Sequence, residues 1–167
     1  MQSNSFQVEK HIRLADRGEA RAIAALLYEA LREFEPLYTA EGFAATTPRT
    51  EQILERMNEG PVWVALVFGE IVGTVSVVPT GEALYVRGMA VLPRMRGARV
   101  GKLLMEQVEQ YAAEKDCKRL FLSTTPFLHR AIRLYERLGF RRTDHGPHDI
   151  FWDAAVYDGE EVREPRI

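Results

Sequence analysis

The chain has 167 residues, 46% of them hydrophobic and 28% charged, with 22 basic and 24 acidic side chains and a net charge of −2. That length suits one domain over residues 1–167 with a substantial core, and that balance excludes a whole-molecule attraction to nucleic acid or anionic lipid. The lone cysteine, Cys117, excludes an internal disulfide and suits a reducing compartment.

In chain order, the leader MQSNSFQVEK lacks the apolar stretch of a signal peptide. His11 to Ala15 reads as a first strand. Asp16 and Glu19 have the spacing of a capping box ahead of a helix whose apolar face is Ile23, Leu26, Leu27, Ala30 and Leu31. Glu33 to Thr47, with Pro36 and Gly42, reads as a loop or a broken helix, and Thr47-Pro48 starts a helix that fades at Asn58-Glu59-Gly60. Val62 to Phe68, Ile71 to Val78 and Leu84 to Val91 then form an antiparallel meander, separated by Gly-Glu and Thr-Gly-Glu turns. The first of these is the longest apolar run and is too short to cross a bilayer, which takes about 20 residues. A cytoplasmic protein with no membrane partner is therefore expected. Val100, Leu103, Leu104, Val108, Tyr111 and Ala112 mark a helix face, and Arg119 to Ser123 a short strand. Thr125-Pro126 caps a helix that Gly139 ends, Phe140 to Thr143 and Asp149 to Ala155 are strands, and residues 1–9 and 156–167 are expected to be loose termini.

Between the meander and its following helix stands Val91-Leu92-Pro93-Arg94-Met95-Arg96-Gly97-Ala98-Arg99-Val100-Gly101-Lys102. A helix N-terminus carries unpaired N–H groups and partial positive charge, and glycines let the backbone come close to an anion. Arg94, Arg96, Arg99 and Lys102 add counter-charge, and Gly101 would also let the helix pack close to the sheet. The segment is neither a P-loop nor a G-x-G-x-x-G turn. A second signal, Leu134-Tyr135-Glu136-Arg137-Leu138-Gly139-Phe140, is by itself an amphipathic helix ended by glycine.

These two segments resemble the signatures of GNAT-type N-acetyltransferases. The family's V-x-P-x-x-R/Q-G-x-G-x-G/A pattern matches at Val91, Pro93, Arg96, Gly97 and Gly101, and its L-Y-x-x-x-G-F pattern at Leu134, Tyr135, Gly139 and Phe140. The resemblance implies an α/β (α+β) acyltransferase fold, with a mixed sheet of six to seven strands, an antiparallel meander and about four helices. It implies transfer of an acetyl group from acetyl-CoA, without a metal, to an amine of a small molecule or polypeptide by direct attack in a ternary complex. Cofactor contacts would come from Met89, Ala90 and Val91, whose free N–H groups would also serve as an oxyanion site, and from Arg96, Gly97, Ala98, Arg99, Val100, Gly101 and Lys102. Tyr135 matches the proton donor to the departing thiolate, and a phenol of ordinary pKa, about 10, holds its proton at neutral pH. The family includes dimers, so a homodimer is a possible partner state; nucleic acid is not an expected partner.

Two positions depart from the family pattern. Arg99 stands where a second loop glycine is usual; it keeps its N–H, so the cradle survives if φ is negative, and a positive φ would strain the loop by about 1–3 kcal/mol. The expectation is that the loop still binds, with Arg99 able to pair with a phosphate. Leu128 stands where an Asn is frequent. No Glu occurs between Leu84 and Val91 to act as base, leaving Glu82, Glu33 and Glu35, all readable as solvated carboxylates. Glu33, Phe34 and Tyr38, with Ser123 at the end of its strand, are candidates to receive a cationic amine; the alternative is a helix connection that covers the core. His145-Gly146-Pro147-His148 reads as a turn rather than a metal site. The competing function is a non-catalytic acyl-CoA-binding sensor or recruitment module.

Overall fold

In the computed structural model, residues 9–142 and 160–163 are described. The first strand, β1, spans Lys10–Leu14. The Glu19 carboxylate accepts the Asp16 N–H at 3.0 Å, so the expected reciprocal cap is in place ahead of α1, Ala20–Leu31. Glu33 to Thr47 is a broken helix: a 3₁₀ segment at Arg32–Leu37, which contains Pro36, precedes a short helix, α2, at Ala40–Thr46. Thr39 caps α2 by accepting the Gly42 N–H at 3.0 Å. α3 follows at Thr50–Glu59.

The meander is β2 at Val62–Val67, β3 at Glu70–Thr80 and β4 at Ala83–Val91. Positive φ at both Phe68 (50°) and Gly69 (76°) suits a hairpin turn whose twist matches its strands. α4 spans Val100–Glu114, β5 Arg119–Ser123, α5 His129–Arg137, β6 Arg141–Arg142 and β7 Glu160–Arg163. These strands make one seven-stranded sheet in the order β1-β2-β3-β4-β5-β7-β6. All neighbours are antiparallel except β4 and β5, which run parallel because α4 carries the chain back across the sheet between them.

Both faces of the sheet are covered, so central strands are apolar on both sides. Trp63, Ala65 and Val67 face a core with Val100, Leu104, Met105, Val108 and Ala112 of α4, while Val62 and Val64 face Ile23, Leu26 and Leu27 of α1 and Ile53 of α3. Val64, Val72, Leu104, Met105 and Leu120 are completely buried, and each such side chain contributes about 1.5–3 kcal/mol of transfer free energy.

Three expectations are revised. Five α-helices are described rather than about four, because α2 forms inside the connection. Thr125-Pro126 opens a turn, closed by Leu128 N–H to Thr125 O at 3.1 Å, and α5 begins only at His129. The segment 156–167 is not loose throughout: Glu160–Arg163 is β7, inserted between β5 and β6. Backbone pairing across the sheet supplies the order that these charged side chains do not signal. The strand expected at Asp149–Ala155 and the turn at His145–His148 lie outside the described residues.

Candidate active site

The site is built where β4 and β5 part. Their parallel pairing runs from Ala83↔Arg119 to Val86↔Leu122 and stops. Beyond Val86, β4 keeps β3 on one edge and has no strand on the other among the described residues. Its pairing with β3 also slips there: Thr74 faces Ala90 whereas Ser76 faces Arg87, so β4 carries one extra residue. Gly88, at φ 61°, takes the left-handed conformation such a bulge requires. Met89, Ala90 and Val91 therefore lie on a stretch with one open edge, where backbone groups are available to a ligand.

The chain then turns through a short 3₁₀ segment, Pro93–Met95, with Met95 N–H donating to Leu92 O at 2.9 Å and Ala98 N–H to Met95 O at 3.2 Å. Gly97, at φ 81°, lets the loop reverse into α4. The backbone N–H groups of Gly97, Arg99, Val100, Gly101 and Lys102 donate to no acceptor among the described residues. They surround the start of α4, where the helix dipole adds partial positive charge. Arg96 and Ala98 differ from their neighbours, since their amides are spent on Pro93 O and Met95 O within the loop. A Cβ on Gly101 would stand 3.0 Å from Leu134 Cδ2 and 3.8 Å from Met89 Sδ, so its missing side chain lets α4 seat against β4 and α5. Gly73 does the same from β3, where a Cβ would stand 2.9 Å from Val100 Cγ1.

Arg99 has φ 66°. The condition for an unstrained cradle, a negative φ, is not met, and an arginine here carries about 1–2 kcal/mol that a glycine would not. The other loop cations are largely neutralised by this chain's own carboxylates. Arg94 pairs with Glu70 at 2.8 Å and Lys102 with Glu106 at 3.7 Å. Arg96 pairs with Glu33, donates to Ala30 O at 3.1 Å and lies over the Phe34 ring at 5.9 Å. Arg99 is exposed and has no ion-pair partner among the described residues. The groups left open at the start of α4 are thus backbone N–H groups and Arg99.

Arg96 and Glu33 were expected on different ligands and instead bind each other, tying the end of α1 to the loop. Phe34 and Tyr38 converge on Phe127 of the β5–α5 turn, with ring centroids 6.1 and 4.8 Å away. Phe127 was not foreseen, since one aromatic in a turn has no period to reveal it. Burial pushes the Tyr38 phenol up to about 12. Ser123 ends β5 beside this group and pairs in register with Glu160 of β7. Tyr135 is buried in the core beneath α5, its ring 5.7 Å from that of Phe140. Its neighbour Leu134 touches the first turn of α4, which brings α5 alongside the cradle. Leu128 occupies the N-cap of α5 and gives no side-chain cap. Glu82 lies at the opposite end of β4 and pairs with Lys118 at 3.1 Å. Among the described residues no group of three or more His, Cys, Asp or Glu could hold a metal, and no helix is long and apolar enough to cross a membrane.

Comparison with known proteins shows the family and the fold. The sequence profile of the acetyltransferase (GNAT) family matches residues 23–140. The chain is 32% identical over 130 residues to the uncharacterised N-acetyltransferase YjgM of Escherichia coli K12, covering 74% of this chain and 77% of that one. It is 28% identical over 85 residues to the thialysine N-epsilon-acetyltransferase of Sus scrofa, a match spanning 51% of this chain and about half, 48%, of that one. Among solved structures, the PaiA N-acetyltransferase of Thermoplasma acidophilum in complex with coenzyme A aligns with a TM-score of 0.77 at 13% identity, over 93% of this chain and 99% of that one. YncA of Salmonella typhimurium, a putative acetyltransferase with its cofactor acetyl-CoA, aligns at 0.72 and 19% identity, over 94% of each chain.

Proposed function

This chain belongs to the GNAT acetyltransferase family, and from that premise we propose that it transfers an acetyl group from acetyl-CoA to a primary amine of a small molecule or polypeptide, by direct attack in a ternary complex. The observation that carries this reading is the set of open N–H groups at Gly97 and from Arg99 to Lys102, placed at the foot of a β4 edge that β5 has left. A pyrophosphate fits those donors, because successive amides at a helix start converge on one anion. Bound acetyl-CoA would supply an acyl group already activated as a thioester.

The chain's own residues do the rest. The open edge at Met89, Ala90 and Val91 would line the pantetheine arm, and those of its N–H groups that point away from β3 would donate to the acyl oxygen as it gains negative charge; one such donor is worth about 10²–10³ in turnover. Holding both reactants in the gap makes the attack effectively intramolecular. Tyr135 would give its phenolic proton to the leaving sulfur. Glu33 is committed to Arg96, and β4 offers no carboxylate from Ala83 to Val91. The amine then enters through its own neutral fraction, and kcat/KM should rise about tenfold per pH unit between pH 7 and 9. The name of the pig relative places its acetyl group on an ε-amine, which supports an amine acceptor here. A cytoplasmic setting belongs to the same reading and is supported by the single free Cys117.

Calorimetric titration with acetyl-CoA tests the cradle, and Tyr135→Phe tests the proton donor. One-site binding that free adenosine diphosphate does not match is expected, as is a loss of about 10²-fold or more in kcat with acetyl-CoA affinity unchanged. Absence of binding at millimolar acetyl-CoA would overturn the reading, and an unchanged kcat would remove Tyr135 from it.

A further inference from the structure

A second group of charges lies on the sheet face opposite α4, and acetyl transfer as described makes no use of it. Arg87 is the first residue of β4 beyond the last β5 pair, so it stands at the mouth of the gap. Its side chain turns toward α3, where Nη2 meets Glu59 Oε2 at 2.6 Å. Arg56, one helical turn before Glu59, reaches the same place: a Cβ on Gly88 would stand 3.0 Å from Arg56 Nη1. Gly88 therefore leaves room for this guanidinium as well as forming the bulge.

The pair is poorly explained as a stabilising device. Arg56 donates to Ala45 O at 3.2 Å and has no carboxylate within ion-pair distance among the described residues. Burial, with the Arg87 charge adding to it, pushes the Arg56 guanidinium down to about 10, so it remains cationic at neutral pH. Arg87 Nε is buried and donates to nothing among the described residues. The one carboxylate here among the described residues, Glu59, pairs with Arg87 alone, and an unpaired buried donor beside a second, half-buried guanidinium costs stability rather than adding it. Such an arrangement suits a second carboxylate, whose two oxygens match the planar fork of a guanidinium. Beside it, Tyr85 shares a strand face with Arg87 and stacks on Phe121 at 5.1 Å, an apolar platform for a methylene chain.

We propose that Arg56 and Arg87 hold the carboxylate of an acceptor that is both amine and acid, an amino acid or ω-amino acid, entering the β4–β5 gap from the α1 and α3 face. The cradle at α4 lies toward the other face, so acceptor and cofactor would meet across the gap rather than compete for one entrance. This proposal rests on the acetyl-transfer reading and specifies its substrate class.

The test uses amine pairs that differ only by the carboxylate: glycine and methylamine, β-alanine and ethylamine, 4-aminobutanoate and propylamine, 5-aminopentanoate and butylamine, L-lysine and cadaverine. Acetyl-CoA affinity and kcat/KM for each amine are measured on the full chain and on Arg56→Gln and Arg87→Gln. In at least one pair the acid member should be favoured by tenfold or more in kcat/KM. Either substitution should collapse that preference through KM, leaving the decarboxylated member and acetyl-CoA affinity unchanged. If acetyl-CoA binds the unaltered protein and no acid member is preferred, the proposal fails while the acetyl-transfer reading stands. A preference that survives both substitutions also overturns it. If acetyl-CoA does not bind, the acetyl-transfer reading fails and the proposal with it.

Discussion

From Ala83 to Val86, β4 is held on both edges, by β3 and by β5, and its inward side chains Leu84 and Val86 lie in the core. From Arg87 to Val91 the same strand is held on one edge, carries a bulge and a left-handed glycine, and leads into a loop with a left-handed arginine. Nine residues thus divide between a half that stabilises the sheet and a half that leaves groups open. The contrast shows how a fold offers backbone donors to a ligand without exposing its core. The paired half fixes where the strand lies, and the open half only has to depart from it.

Substitutions in the two halves should therefore separate stability from binding. Leu84→Ala, at a completely buried position, should cost about 2–5 kcal/mol in chemical denaturation. Acetyl-CoA affinity of the protein that stays folded should not change; a parallel loss of affinity would break the division. Gly97→Val puts a β-branched residue at φ 81°, where open space around the Cβ leaves backbone strain as the only penalty. It should cost about 1–3 kcal/mol and weaken acetyl-CoA binding by about tenfold, read by calorimetry.

Arg99→Gly runs the other way. Removing an L side chain from φ 66° should raise stability by about 1 kcal/mol net of the extra chain entropy of glycine, while loss of the free guanidinium weakens acetyl-CoA binding by about threefold. A variant that gains nothing in stability would show that the left-handed turn carries no strain.

The smallest effect lies away from β4. The Arg13 guanidinium holds the Glu19 carboxyl below the usual carboxylate range, and the pair closes at 2.6 Å. Because the folded protein depresses this pKa, the stability it confers is present above the ordinary carboxylate range and is lost as pH falls through the depressed value. Glu19→Gln should cost about 1 kcal/mol at pH 7 and leave a shallower loss of stability under acid, followed by thermal melts from pH 7 to 3.

Much of this molecule could be read from local pattern. The change from period 3.6 to alternation located the meander, Pro93 and the glycines of 97 and 101 located the loop, and Leu134-Tyr135 with Gly139-Phe140 located α5. Those signals need only neighbours within a turn or a pleat. Others were hidden for a physical reason. The partner of Arg96 is a glutamate more than sixty positions away, and nothing local distinguishes an arginine facing a phosphate from one facing Glu33. Gly73 and Gly88 interrupt strands in a way that signals close approach or a bulge, yet which helix or side chain approaches is a tertiary fact. β7 has three charged residues of four and a single apolar one, Val162, too few to show alternation, and is ordered by pairing with β5 and β6.

By itself, then, the sequence determined the order and kind of nearly every described element, the place of the loop that opens α4 and the family to which it leads. All of these rest on short-range periodicity and turn chemistry. Tertiary structure alone decided that β5 leaves β4 after Val86, that Arg99 is left-handed, that Arg96 and Glu33 neutralise each other, and that Arg56 meets Arg87 over Gly88. Each depends on which distant surfaces pack together, and packing is settled by the whole core at once.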